Sequence, residues 1–194
     1  LVMRNRLDGL RNKWQEENDW PEIVYSMQHR IGLNSGQMVT GNMGSEMRMN
    51  YTMMGDTVNL AARLEPAAKQ YGVYIFVGEN IYEASNDEYV FRFLDFLSVK
   101  GKNIPVKTYE LIDTKDQINK KSLDLIETFE KGLDNYFNQD WKNALEYFQE
   151  SQQLEDRFTG RNTNPSEVFI KRCNHFLLNP PKNDWDGVWR MTTK

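Results

Sequence analysis

Tyr51-Thr52-Met53-Met54-Gly55-Asp56-Thr57-Val58-Asn59-Leu60-Ala61-Ala62-Arg63-Leu64-Glu65 leads into a helix across a single glycine. Val58, Leu60, Ala61, Ala62 and Leu64 follow helical spacing, and the pattern predicts a helix from Thr57 to Tyr71 with Gly72 as its C-cap. Asn59 and Arg63 are four apart, so they share one face near the helix start. Unsatisfied N–H groups and the helix dipole favour anions at that end. An arginine placed there can fork onto a phosphate, and an asparagine can orient a hydroxyl or a water beside it. The competing reading is a solvated polar face, with Arg63 paired to Glu65 or Glu46.

Working outward, Gly32, Gly36, Gly41, Gly44 and Gly55 crowd the stretch before this helix. They suit hairpin turns and close backbone approach to a ligand. Neither a P-loop nor a dinucleotide-binding glycine fingerprint is present. Met27, His29, Ile31 and Leu33 alternate and predict a strand over Ser26 to Asn34. Gln37 to Gly41 reads as a second strand, with Gly36 placed to close a hairpin between the two. Tyr51 to Gly55 reads as irregular. Upstream, Leu1 to Glu17 reads as an amphipathic helix that stops at Asn18-Asp19-Trp20-Pro21.

Downstream, Val73 to Val77 is β-branched and aromatic, hence a buried strand, and Glu79 to Ser85 a short helix. Tyr89 to Val99 and Val106 to Leu111 read as two strands around the basic turn Lys100-Gly101-Lys102-Asn103. That turn is either an ordinary exposed loop or a point charge for a polyphosphate. After Asp113 strand signals stop. Helices are predicted over about 118–137, 141–154 and 166–178, followed by an extended tail that Trp185 and Trp189 pin to the body. Asp184 and Asp186 form only a loose carboxylate pair for a hard cation. The chain thus divides into 1–112 and 113–194.

Composition narrows the function. The chain has 194 residues and a formal net charge of -4, which disfavours a general nucleic-acid surface. Cys173 is the sole cysteine and His29 and His175 the two histidines, so disulfides and Cys- or His-rich metal clusters are excluded. No apolar run approaches the ~20 residues of a membrane span, and no secretory leader pattern opens the chain.

Taken together, three blocks resemble the class III nucleotidyl cyclases. They are Arg30-Ile31-Gly32-Leu33-Asn34-Ser35-Gly36, Val39-Thr40-Gly41-Asn42-Met43-Gly44-Ser45, and the Tyr51–Glu65 stretch. Val99-Lys100-Gly101-Lys102 with Lys107-Thr108-Tyr109 resembles the family's closing hairpin. The resemblance covers 1–112 and implies an α+β fold, a partial ferredoxin-like domain with a mainly antiparallel sheet, followed by a helical extension. It implies conversion of ATP to 3′,5′-cyclic AMP and pyrophosphate by attack of the ribose 3′-hydroxyl on the α-phosphate, assisted by two Mg²⁺ or Mn²⁺ ions. Matched by position, Asn59 would orient the ribose and Arg63 would stabilise charge around the α-phosphate. Lys100 would meet the terminal phosphates. Thr52 falls at the purine-reading position, where a hydroxyl is typical of adenylate cyclases.

The family's two metal-binding aspartates and its purine-recognising lysine have no counterpart here, so no metal ligand is assigned. The expectation is the C-terminal part of a bacterial-type adenylate cyclase, inert alone, with its metal ligands supplied upstream. Such sites form between two subunits, which implies a second cyclase copy as partner, in a homodimer. The expected location is cytoplasmic, with no membrane contact by this segment and any anchor upstream. Gly132, Tyr136, Trp141, Ala144, Phe148 and Leu154 resemble a single tetratricopeptide-like helical pair. The alternatives are a non-catalytic cyclase-like regulatory or dimerisation module, or a helical protein-docking module.

Overall fold

The computed structural model describes residues 1–97, 105–155, 161–182 and 184–189. Strands β1 (Ile31–Leu33), β4 (Ile75–Gly78), β6 (Val106–Thr114) and β5 (Tyr89–Leu97) form one sheet in that spatial order. β1 runs parallel to β4; β4–β6 and β5–β6 are antiparallel, so the sheet is mixed. A separate two-stranded sheet is formed by β2 (Val39–Ser45) and β3 (Arg48–Met54). Among the described residues seven helices complete an α+β fold: α1 (Val2–Glu17), α2 (Glu22–Tyr25), α3 (Asp56–Tyr71), α4 (Glu79–Ser85), α5 (Lys120–Phe137), α6 (Trp141–Leu154) and α7 (Pro165–Leu178).

Local chemistry explains the helix limits. Asn119, Asp140 and Asn164 cap α5, α6 and α7 by accepting from the N–H groups of Ser122, Asn143 and Glu167. Pro165 then opens α7, where its missing N–H costs nothing. α3 ends at Gly72, whose φ of 67° is left-handed and suits glycine. Leu60, Leu64, Ala67, Ala68 and Tyr71 form its buried stripe, at helical spacing.

Three elements differ from the sequence expectation. The alternation over Ser26 to Asn34 yields only the three residues of β1, which find a partner in β4. Gly36 closes no β1–β2 hairpin, because β2 pairs with β3 instead. Tyr51 to Met54, read as irregular, lies in β3. Every residue of β3 is exposed, so no apolar face marks it as a strand. The one-turn α2 is also new. The Lys100-Gly101-Lys102-Asn103 turn lies outside the described residues.

Two hydrophobic clusters hold the layers together. The larger joins Leu60, Leu64 and Tyr71 of α3 with Phe76 and Leu94 of the sheet and with Phe129, Tyr136, Phe148, Phe169, Cys173 and Phe176 of the C-terminal helices. The smaller gathers Tyr74, Ile75, Val77, Phe91 and Tyr109, with Tyr82 of α4 stacked on Tyr109 at 4.2 Å. Trp185 of the tail packs 5.4 Å from Tyr136 and 5.3 Å from Trp141, and Trp189 packs 5.3 Å from Phe176. No helix among the described residues is long and apolar enough to cross a membrane.

Gly32 is where α3 meets the sheet. A Cβ there would lie 2.6 Å from both the Ala61 carbonyl oxygen and the Glu65 amide nitrogen, neither of which can rotate aside. Gly32→Ala is therefore expected to destabilise the fold by about 1–3 kcal/mol, read as a lower urea midpoint at unchanged slope.

Burial pushes the Cys173 thiol from 9.0 up to about 12. Its folded pKa exceeds its unfolded one, so this contribution to stability is complete below the unfolded value and is lost as pH rises toward about 12. Alkylation of Cys173 at neutral pH should follow global unfolding, with native protein protected by orders of magnitude relative to protein in denaturant.

Candidate active site

β3, Gly55 and α3 run on without a loop, so the position of α3 fixes the relation of Thr52 to Asn59. Gly55 is the N-cap residue and carries no side chain to satisfy the first N–H groups. The first helical bond runs from Asn59 N to Gly55 O at 3.0 Å. Asn59 and Arg63 are both exposed on α3, on one flank of the Leu60–Leu64 stripe. Thr52 is exposed on β3, opposite Gly41 of β2, where nothing stands within 4 Å of a would-be Cβ. The surface around Thr52 is open. Glu65, one candidate partner for Arg63, is held by Arg30 at 3.0 Å. Lys100 lies outside the described residues.

A cavity of about 390 Å³ opens between β5, β6 and α5, lined by Phe93, Phe96, Tyr109 and Phe137, with Glu130 and Asp134 among its other residues. Burial, with Asp134 next to it, raises the pKa of Glu130. This space lies away from the candidate residues. A second cavity, of about 340 Å³, sits at the N-terminus of α3 and is lined by Asn34, Asp56, Thr57, Leu60, Glu79 and Asn80 among others. Its wall is rigid: Asn34 Nδ2 donates to Thr57 O at 3.3 Å, and Asn80 Nδ2 donates to Ser35 O at 2.8 Å. Glu79 of this lining pairs with Lys107 Nζ at 2.8 Å. Neither Asn59 nor Arg63 lines this cavity. The helix therefore presents the candidate residues to open surface.

No group of three or more His, Cys, Asp or Glu among the described residues can hold a metal ion. Asp186 accepts from its near neighbour Val188 N at 3.1 Å, so the carboxylate pair of the tail gathers no ligand set. The Mg²⁺ or Mn²⁺ that the resemblance implies does not fit the described residues.

The model of the adenylate and guanylate cyclase catalytic domain matches residues 10–113. The chain belongs to that family. It is 34% identical over 152 residues to the terminal-differentiation-specific adenylate cyclase of Dictyostelium discoideum, covering 76% of this chain and 7% of that one. It is 32% identical over 119 residues to adenylate cyclase 1 of Rhizobium meliloti, covering 61% and 17%. The chain therefore spans a small part of these relatives. The crystal structure of the adenylyl cyclase CyaB from P. aeruginosa shares 30% identity over 61% of this chain and 57% of that one, with a TM-score of 0.49.

Sequence reasoning found the α3 residues through their motif, because a one-turn spacing is fixed by helix geometry. It missed the hairpin that carries Thr52 and the Arg30–Glu65 pair beside Arg63. The second had a faint signal, since both residues flank the quoted blocks.

Proposed function

We propose that this chain supplies one half of an adenylate cyclase site, forming 3′,5′-cyclic AMP and pyrophosphate from ATP. The carrying observation is the common outer face of α3, where Asn59, in the first turn, and Arg63, one turn further on, stand exposed within the family-matched region. In this reading the ribose 3′-oxygen bonds to the α-phosphorus as the α–β phosphoanhydride bond breaks. Pyrophosphate leaves, and the hydroxyl proton passes to solvent. Asn59 orients the ribose, Arg63 neutralises the pentacoordinate phosphorus, Thr52 reads the purine edge and Lys100 meets the terminal phosphates. Divalent metal is held by residues outside 1–194, and the chain by itself is inert.

An open face cannot surround a nucleotide, so the proposed site is completed by a second copy. The β2–β3 hairpin supports this: Met47 is 97% exposed, Tyr51 73% and Met49 61%, an apolar surface with no cover. The helices after Asp113 are read as a tetratricopeptide-like extension. A non-catalytic regulatory module is the second reading, favoured by the lack of a metal-ligand group among the described residues.

The whole protein is expected to make cyclic AMP from ATP with Mn²⁺, and Arg63→Ala to lower kcat by at least ~100-fold. Unchanged turnover in that variant would refute the role of Arg63, and a wild-type protein that makes no cyclic nucleotide would favour the regulatory module. Thr52→Cys should narrow the preference for ATP over GTP, measured as the ratio of kcat/KM values. A ratio equal to that of wild type would remove Thr52 from purine reading.

A further inference from the structure

We propose that the C-terminal helices form a seat that sets the position of α3, with Tyr71 and Arg172 as positioning residues for the reaction proposed above. The inference rests on that reading, and its test separates the two.

α3 is held hard at one end. Tyr71, its last residue, is buried and donates its hydroxyl to Asp95 Oδ2 of β5 at 2.5 Å. Arg172 of α7 donates to the same Asp95 oxygen at 2.5 Å and, through its other terminal nitrogen, to the Tyr71 hydroxyl at 2.9 Å. One joint thus binds α3, the sheet and α7. Burial opposes the Arg172 charge, but Asp95 beside it outweighs that, so the guanidinium pKa moves up. Burial and then Asp95 push the Tyr71 hydroxyl up, so it stays protonated and able to donate. Gly72 completes the seat: a Cβ there would strike the Thr163 carbonyl, next to the Asn164 cap of α7.

Asn59, in the first turn of α3, and Arg63, at its midpoint, are exposed. Arg63 precedes Tyr71 by eight residues, ~12 Å along the axis. Between them Pro66 lacks an N–H, so the rung to the Ala62 carbonyl is missing. The outer half rests on Leu60, on the Asn34 bond to the Thr57 carbonyl and on the close approach of Gly32 to the Ala61 carbonyl, while Leu64, Ala67, Ala68 and the seat hold the inner half, so both supports set where Arg63 stands. A shift of the seat would move Arg63 relative to a bound triphosphate, and misplacement by ~1 Å can cost ~100-fold in rate.

The similarity to the Dictyostelium relative extends past Asp113 into the helical part of the chain. Coverage of 76% of 194 residues is about 147, so at least about 34 aligned positions lie beyond Asp113.

The test uses the whole protein carrying Tyr71→Phe, which deletes one hydroxyl and leaves the Asp95–Arg172 pair. Arg172→Lys is the second variant, keeping the charge but losing the fork. Hydrogen exchange along α3 and steady-state kinetics with ATP are measured on both. The seat predicts faster exchange, by about tenfold, out to the amides of Asn59 to Leu64, together with a kcat about tenfold lower at a KM within twofold. Arg172→Lys should keep a melting temperature near that of wild type while kcat still falls. Exchange changes confined to Ala67 to Val73, or wild-type kcat in both variants, would overturn the seat. If wild-type protein makes no cyclic nucleotide, the cyclase reading fails, and exchange at Asn59 to Leu64 still decides the seat.

Discussion

The Arg92 guanidinium is 1% exposed, and the two layers of the molecule meet around it. Glu110, its cross-strand partner on β6, accepts from Arg92 Nε at 3.1 Å, and Glu155 at the end of α6 accepts from Nη1 at 2.7 Å. Glu155 also accepts from Ser166 N at 3.3 Å and Ser166 Oγ at 2.9 Å, which carries the network into α7. Burial works against the charge on Arg92, yet Glu155 and Glu110 hold it firmly protonated. Losing one member of such a buried set costs about 3–5 kcal/mol, because the remaining charge stays uncompensated. An apolar replacement of equal shape can match that stability, so what the ions add is orientation. Only one placement of α6 and α7 brings Glu155 to Arg92 and Arg172 to Asp95 together.

The packing crosses residue 113, where the family match ends. The larger core takes side chains from α3 and β5 on one side of Asp113 and from α5, α6 and α7 on the other. Both buried ionic groups cross the same line. The pairing register of β5 with β6 shifts twice, between Val90 and Phe91 and between Phe93 and Asp95. Leu94 and Asp95 are buried in succession at the second shift, whereas Phe91 and Arg92 are both buried because each face of β5 is covered, Phe91 by Tyr82 and Arg92 by Phe129.

Much of this was legible in the sequence, for physical reasons that differ by element. α3, α5, α6 and α7 carry apolar stripes at helical spacing and polar caps, and their limits fall within a residue or two of the expectation. The pinning role of Trp185 and Trp189 was legible because two tryptophans in a tail need cover. The β2–β3 hairpin was not, since alternation reports a buried face and this hairpin has none. β1 was overextended because alternation cannot say where a parallel neighbour stops. The buried charges were invisible: Arg92, Asp95, Glu110, Glu155 and Arg172 each read alone as surface residues. Their partners stand 18 to 77 positions away, a separation no local pattern encodes.

The same contrast bears on the candidate site. The residues that form a closed, satisfied network are structural, and those that carry the cyclase motif are open. Asp56 and Glu79 make the described lining of the cavity at the head of α3 acidic, and Lys107 beside it is already paired with Glu79. The outer face, with the helix N-terminus and Arg63, has the sign a phosphate needs. It lacks walls, and in water an arginine–phosphate contact is strongly screened. Walls that exclude water raise the worth of that contact several-fold by lowering the local dielectric. On the reading proposed here, the partner that covers the β2–β3 hairpin supplies those walls, and the buried Arg92 and Arg172 networks keep α3 where the partner must find it.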